Sequence, residues 1–208
     1  MKIPLLASLF LFLWALCRIL KNHTRKMQEQ QNSFWQRERE ANNVRKKPLD
    51  NLNYITIPLD KLPTDCYPEN ETVADCVSTL TVLSERKIVN LTCITNTDLK
   101  LTYGTANITV LTEYDQNYTL LVTTLHKWAN TLYSLGDKTN ATTILEYAVS
   151  INSDVSKTYS LLASIYDEKN ELSKITALKK HASGLSSPSG KIIVRKLEEA
   201  YPLTEKFE

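Results

Sequence analysis

Glycine is scarce in this 208-residue chain, with 4 copies, and proline numbers only 7. An all-β sandwich or barrel needs turn residues about every 8–12 positions, so that class is excluded. The 3 histidines are isolated: none of His23, His126 or His181 has an Asp or Glu at metal-ligand spacing. Neither H-E-x-x-H nor G-x-S-x-G nor a Walker-type glycine loop occurs, and so few glycines cannot form both a phosphate cradle and the turns. Cys66, Cys76 and Cys93 are an odd set without C-x-x-C spacing, which excludes a disulfide framework and a zinc site. Charge of one sign is missing too. With 25 Lys and Arg against 23 Asp and Glu the formal net charge is +2, so bulk charge gives no reason to expect a nucleic-acid partner. The expectation is a protein that is not an enzyme and has neither cofactor nor metal.

What is present is a 42% hydrophobic content, enough to bury a core, and one long apolar run. Ile3 to Cys17 carries no charge, and Ile19 and Leu20 extend it past Arg18. As a helix this run spans roughly 22–27 Å, just short of the roughly 30 Å hydrocarbon core, a gap that Arg18 and Lys21 close by snorkelling. No A-x-A cleavage pattern follows, and bulky Leu16 before Cys17 excludes a lipoprotein box. Residues 1–20 are therefore expected to be an uncleaved transmembrane anchor that meets the lipid bilayer through residues 3–20. Arg18, Lys21, Arg25 and Lys26 follow the run, which keeps a body on that side in the cytoplasm. Six Asn-x-Thr sequons, at Asn22, Asn70, Asn90, Asn107, Asn117 and Asn140, point the other way. In a chain rich in Asn and Thr such triplets arise by chance, and a cell-membrane, single-pass protein with a cytoplasmic body is expected.

Residues 21–68 read as a basic helical connector and an extended strap. The stretch from Lys21 to Lys47 is polar and free of Gly and Pro, interrupted only by Phe34 and Trp35. It suits either a solvated spacer or a strip lying on anionic lipid. Tyr54 to Ile57 have β propensity, and Pro58 and Pro63 forbid a helix through them. The strap either ties down onto the body or occupies a binding groove in it.

From Glu69 onward the pattern is helical and the fold class is all-α. A first helix places Val73, Val77, Leu80 and Leu83 on one face, and a Thr-rich helix is expected from Ile88 to Leu101. Others follow at about Ile108–Leu135, Thr139–Ser150, Ser156–Lys169, Glu171–Ser183 and Lys191–Tyr201. A shift of 34 residues superposes Leu125 on Tyr159, Trp128 on Leu162, Ala129 on Ala163, Leu132 on Tyr166, Gly136 on Asn170 and Ala148 on Ala182. Large residues meet large ones, and small meet small. With Ala141 and Leu145 added, this pattern resembles the tetratricopeptide repeat (TPR), a unit of two antiparallel helices; it departs from it at Ile175 and Lys179.

The resemblance implies a short helical-hairpin solenoid behind the anchor and connector. Residues 69–121 would be a helical cap, 122–189 two TPR-like repeats, and 190–208 a capping helix and tail. As a whole the chain resembles membrane-anchored tetratricopeptide-like proteins of bacteria. It implies an adaptor that binds a protein or peptide segment, or else a scaffold packing laterally in a membrane complex. Some tetratricopeptide domains clamp a carboxylate on first-helix positions. Here those positions hold His126, Asn130, Leu161, Lys191 and Arg195, where Leu161 removes a donor. The implied ligand is an acidic peptide, held more tightly once His126 is protonated.

Overall fold

A computed structural model describes the backbone of residues 3–202 and the side chains of residues 12–202. Among the described residues the chain is all-helical, in the order α1 (Ile3–Asn42), α2 (Glu71–Ser84), α3 (Asn96–Tyr103), α4 (Ile108–Ser134), α5 (Lys138–Ser150), α6 (Ser156–Glu168), α7 (Leu172–Ser183) and α8 (Pro188–Ala200). Two one-turn 3₁₀ segments, Leu59–Lys61 and Thr105–Asn107, complete it. The chain divides into two compact units, Met1–Pro48 with Thr95–Ile108, and Leu49–Ile94 with Thr109–Glu208. Helix α4 runs unbroken from Ile108 to Ser134, through residues 121 and 122.

The first unit is α1 with α3 packed on its carboxyl-terminal turns. Arg37 pairs with Asp98, and Glu38 with Lys100 and the Thr97 hydroxyl, while Ala41 is fully buried. The connector helix stops at Asn42, short of Lys47, because the next residues turn into tertiary bonds. The Lys47 N–H donates to the Tyr103 carbonyl (3.0 Å), and the buried Asn107 amide donates to the Lys47 and Tyr103 carbonyls (both 2.7 Å). Gly104, at φ +89°, lies so close to Arg45 that a Cβ there would sit 2.2 Å from its carbonyl oxygen.

Among the described residues no helix is long and apolar enough to cross a membrane. The side chains of residues 3–11, nine of the eighteen in the expected span, lie outside the described residues.

The second unit holds the main core. Asn70 caps α2 by accepting from the Val73 N–H, and Val73, Cys76, Leu80 and Leu83 are buried; Val77, expected among them, is half-buried. The expected helix from Ile88 is a correction. Residues 88–94 are extended and turned, with Tyr54 and Val89 forming an isolated antiparallel bridge and Cys93 at φ 69°. The β-branched Ile88 and Val89 pay little to stay extended. There the Ile88 carbonyl accepts from the Ile55 N–H (2.9 Å). Helix α3 begins only where Thr95 caps it.

Helices α5 to α8 each pack on the next, and α6 also packs on α8. The 34-residue spacing recurs in the backbone. The Asp137 N–H donates to the Leu132 carbonyl (2.9 Å) around Gly136 at φ 87°, and the Glu171 N–H donates to the Tyr166 carbonyl (2.8 Å) around Asn170 at φ 59°. Both are left-handed helix terminations. Burial follows the same spacing: Leu125 and Tyr159, Trp128 and Leu162, Ala129 and Ala163, Leu132 and Tyr166, and Ala148 and Ala182 are buried pairwise. Ala141 is buried opposite Ile175 in this register. Lys179, opposite Leu145, is also buried, its ammonium satisfied by the Tyr201 carbonyl.

Candidate functional site

A cavity of about 740 Å³ lies within the second unit. Its walls come from the strap (53–56), the loop 90–94, and the turns 150–154 and 184–187. The two turns are 34 residues apart. The strap and the loop complete the walls beside them.

Two buried phenols, Tyr118 and Tyr159, and the half-buried Tyr147 hold segments of the wall in place. Tyr118 donates its hydroxyl to the Asn152 carbonyl (2.9 Å), and Tyr159 donates to the Ser153 carbonyl (2.9 Å), so the α5–α6 turn is held from beneath. Tyr147 donates to the Thr56 carbonyl (3.2 Å) and fixes the strap. Burial pushes the Tyr147 phenol up to about 12, and burial above all, with Asp154 nearby, pushes Tyr118 and Tyr159 higher still. All three stay neutral donors near pH 7. Asn152, at φ 59°, turns the chain in the left-handed region that Asn tolerates better than most residues.

The lining is mixed and nearly uncharged, with Ile55, Ile94, Ile151 and Leu185 supplying apolar surface beside the polar groups. Asn53, Asn90 and Asn152 bring amides, Thr92 and Ser186 hydroxyls, and Asp154 the single carboxylate. Side-chain amides offer donor and acceptor together, which matches the alternating groups of a peptide backbone. No group of three His, Cys, Asp or Glu able to hold a metal occurs among the described residues.

The residues expected to form a groove do not come together in one cavity. Lys191 and Arg195 line a second depression of about 510 Å³ with Ser187, Pro188 and Glu198. His126 and Asn130 lie on α4 and line neither cavity. His126 is half-buried with Nδ1 3.4 Å from the Thr158 hydroxyl; burial first, and then the Lys157 charge, lower its pKa. That works against the expected protonation-driven binding. Arg195 lies 3.8 Å from Glu199 on an exposed face. Glu168 accepts from Tyr133 and Lys138, while Glu171 pairs with Lys174, so these two carboxylates serve different partners. Two sequon asparagines, Asn107 and Asn117, are buried with their amide nitrogens donating to carbonyls, an arrangement with no room for a glycan.

Comparison with family models, with curated proteins and with solved structures gives no match. Asn53, Asn90, Thr92, Asn152 and Asp154 escaped the reading by sequence. The one signal in the sequence is the 34-residue spacing between the turns 150–154 and 184–188, both of which line the cavity.

Proposed function

We propose that this protein is a membrane-held adaptor whose TPR-like helical body receives an extended protein segment in the cavity at its inter-repeat edge. The observation that carries the reading is the lining of that cavity: amides, hydroxyls and a single carboxylate interleaved with Ile55, Ile94, Ile151 and Leu185 around a volume of about 740 Å³, within the usual range of ligand sites. The amides, hydroxyls and carboxylate can exchange hydrogen bonds with a peptide main chain, and the apolar side chains can receive its apolar residues. The matched turns and matched burial at 34-residue spacing support the repeat reading. Exposed apolar side chains along α1, set among Lys and Arg, support the attachment to a membrane.

Site-specific photo-crosslinking in cells tests it. A crosslinker at Asn152 or Thr92 is expected to capture one protein species, and a crosslinker at exposed Lys180 is expected not to. Capture of the same species from all three positions would favour the lateral-scaffold reading, and no capture at Asn152 or Thr92 would remove the cavity from consideration.

A further inference from the structure

Helix α1 carries an apolar stripe that reaches well beyond the run expected to enter a bilayer. Leu13, Leu16, Leu20, Met27 and Phe34 share an arc of about 60° at 3.6 residues per turn, in which Gln31 is the one polar member between residues 12 and 35, and Trp35 lies about 40° beyond the arc. These six apolar side chains are between 42% and 58% exposed. Arg18 and Arg25 lie on the opposite face, and Lys21 and Lys26 flank the stripe on either side. The stripe's next member, Ala41, is buried in the first unit, where α3 packs on the end of α1. The rest of the stripe, up to Phe34, is open.

Charge indicates what covers it. Residues 1–47 hold ten Lys and Arg against three Glu, whereas residues 48–208 hold fifteen against twenty Asp and Glu. A second copy of the chain fits less well. A seven-residue seam built on Leu13, Leu20, Met27 and Phe34 would enclose His23, Gln30 and Arg37 at its alternate positions, and burying those polar groups unpaired is costly. A lipid surface demands no such burial: the apolar stripe enters the acyl boundary while Lys21 and Lys26 lie alongside it at the headgroups.

We propose that α1 lies along an anionic bilayer surface over residues 12–35, and does not leave the membrane at Leu20. This rests on the reading of the chain as membrane-held. The test uses the full chain with vesicles of phosphatidylcholine alone or mixed with phosphatidylglycerol. In Trp14→Phe the remaining indoles are Trp35 and the fully buried Trp128.

Trp35 fluorescence is expected to be quenched by lipids brominated near the headgroup, more strongly with phosphatidylglycerol present and less at high salt. Adding Met27→Glu and Phe34→Glu is expected to abolish this quenching, with helicity retained. Vesicle binding with Trp35 unquenched would overturn the proposal and leave the membrane reading standing. Binding to no vesicle would overturn both. A lipid-free dimer dissolved by Phe34→Glu would assign the stripe to a second copy instead.

Discussion

Among individual side chains, the small ones carry much of the packing. Ala148 is fully buried in the core of the second unit, and its register mate Ala182 is buried too. Adding three carbons there forces neighbouring side chains off their rotamers. Ala148→Leu should cost about 1–3 kcal/mol and lower the melting temperature, while the same change at exposed Ala177 on α7 should leave it nearly unchanged. His126 makes a different prediction. Its pKa is lowered by burial and by Lys157, so the folded chain keeps it neutral at pH values where the unfolded chain, with a value of about 6.5, already binds a proton. The unfolded state then holds more protons, and stability falls as pH drops from about 7 towards the lowered pKa, flattening below it. Urea midpoints between about pH 5 and 7 should show this slope, and His126→Gln should remove it. A slope that survives the substitution would assign it to other groups.

Individual elements show what could be read from sequence. Helices α4 to α7 fall within a residue or so of their expected limits, because periodic apolar residues and the breaks at Gly136 and Asn170 are local signals. The stretch 88–94 was not legible: its departure from helix depends on pairing with the strap some 34 residues earlier, which composition does not announce. The cavity was hidden for the same reason, since its walls come from four separate turns and segments. Two glycines illustrate the difference between local and tertiary demands. Gly136 and Gly104 both have positive φ, but a Cβ on Gly136 meets open space whereas one on Gly104 meets the Arg45 carbonyl. Gly136→Ala should cost about 1–2 kcal/mol. Gly104→Ala should cost more and should loosen the first unit selectively, visible as faster hydrogen exchange in α3. Equal effects at the two sites would count against the close approach at Arg45. The rim of the cavity has its own signature. Tyr147 titrates at about 12 when folded and near 10 when unfolded. The folded state therefore holds more protons across that interval, and stability should decline as pH rises from about 10 to 12. Tyr147→Phe should reduce that decline, as measured by alkaline unfolding followed by circular dichroism.

At the level of the whole molecule, the four cysteines report on both units at once. Cys17 and Cys93 are exposed, Cys66 is half-buried and accepts from the Asn140 amide at 3.2 Å, and Cys76 is buried within α2. Thiolate is the reactive form, and burial raises the Cys76 pKa, so that thiol is doubly protected: by access and by protonation. Disulfide exchange with an aromatic disulfide reagent on the native chain should therefore release two equivalents rapidly and a third more slowly. The fourth should appear only on the timescale of unfolding, and a mild denaturant should accelerate it in step with loss of helicity. The two fast thiols separate the units. Cys17 lies in the first, on the edge of the α1 stripe near Trp35 by helical phase. Cys93 lies in the second, on the cavity wall. Anionic vesicles should slow Cys17 and leave Cys93 unchanged, whereas a peptide seated in the cavity should do the reverse. Protection of both by either agent would mean that the two surfaces are coupled, and the division of labour between tether and body would have to be abandoned.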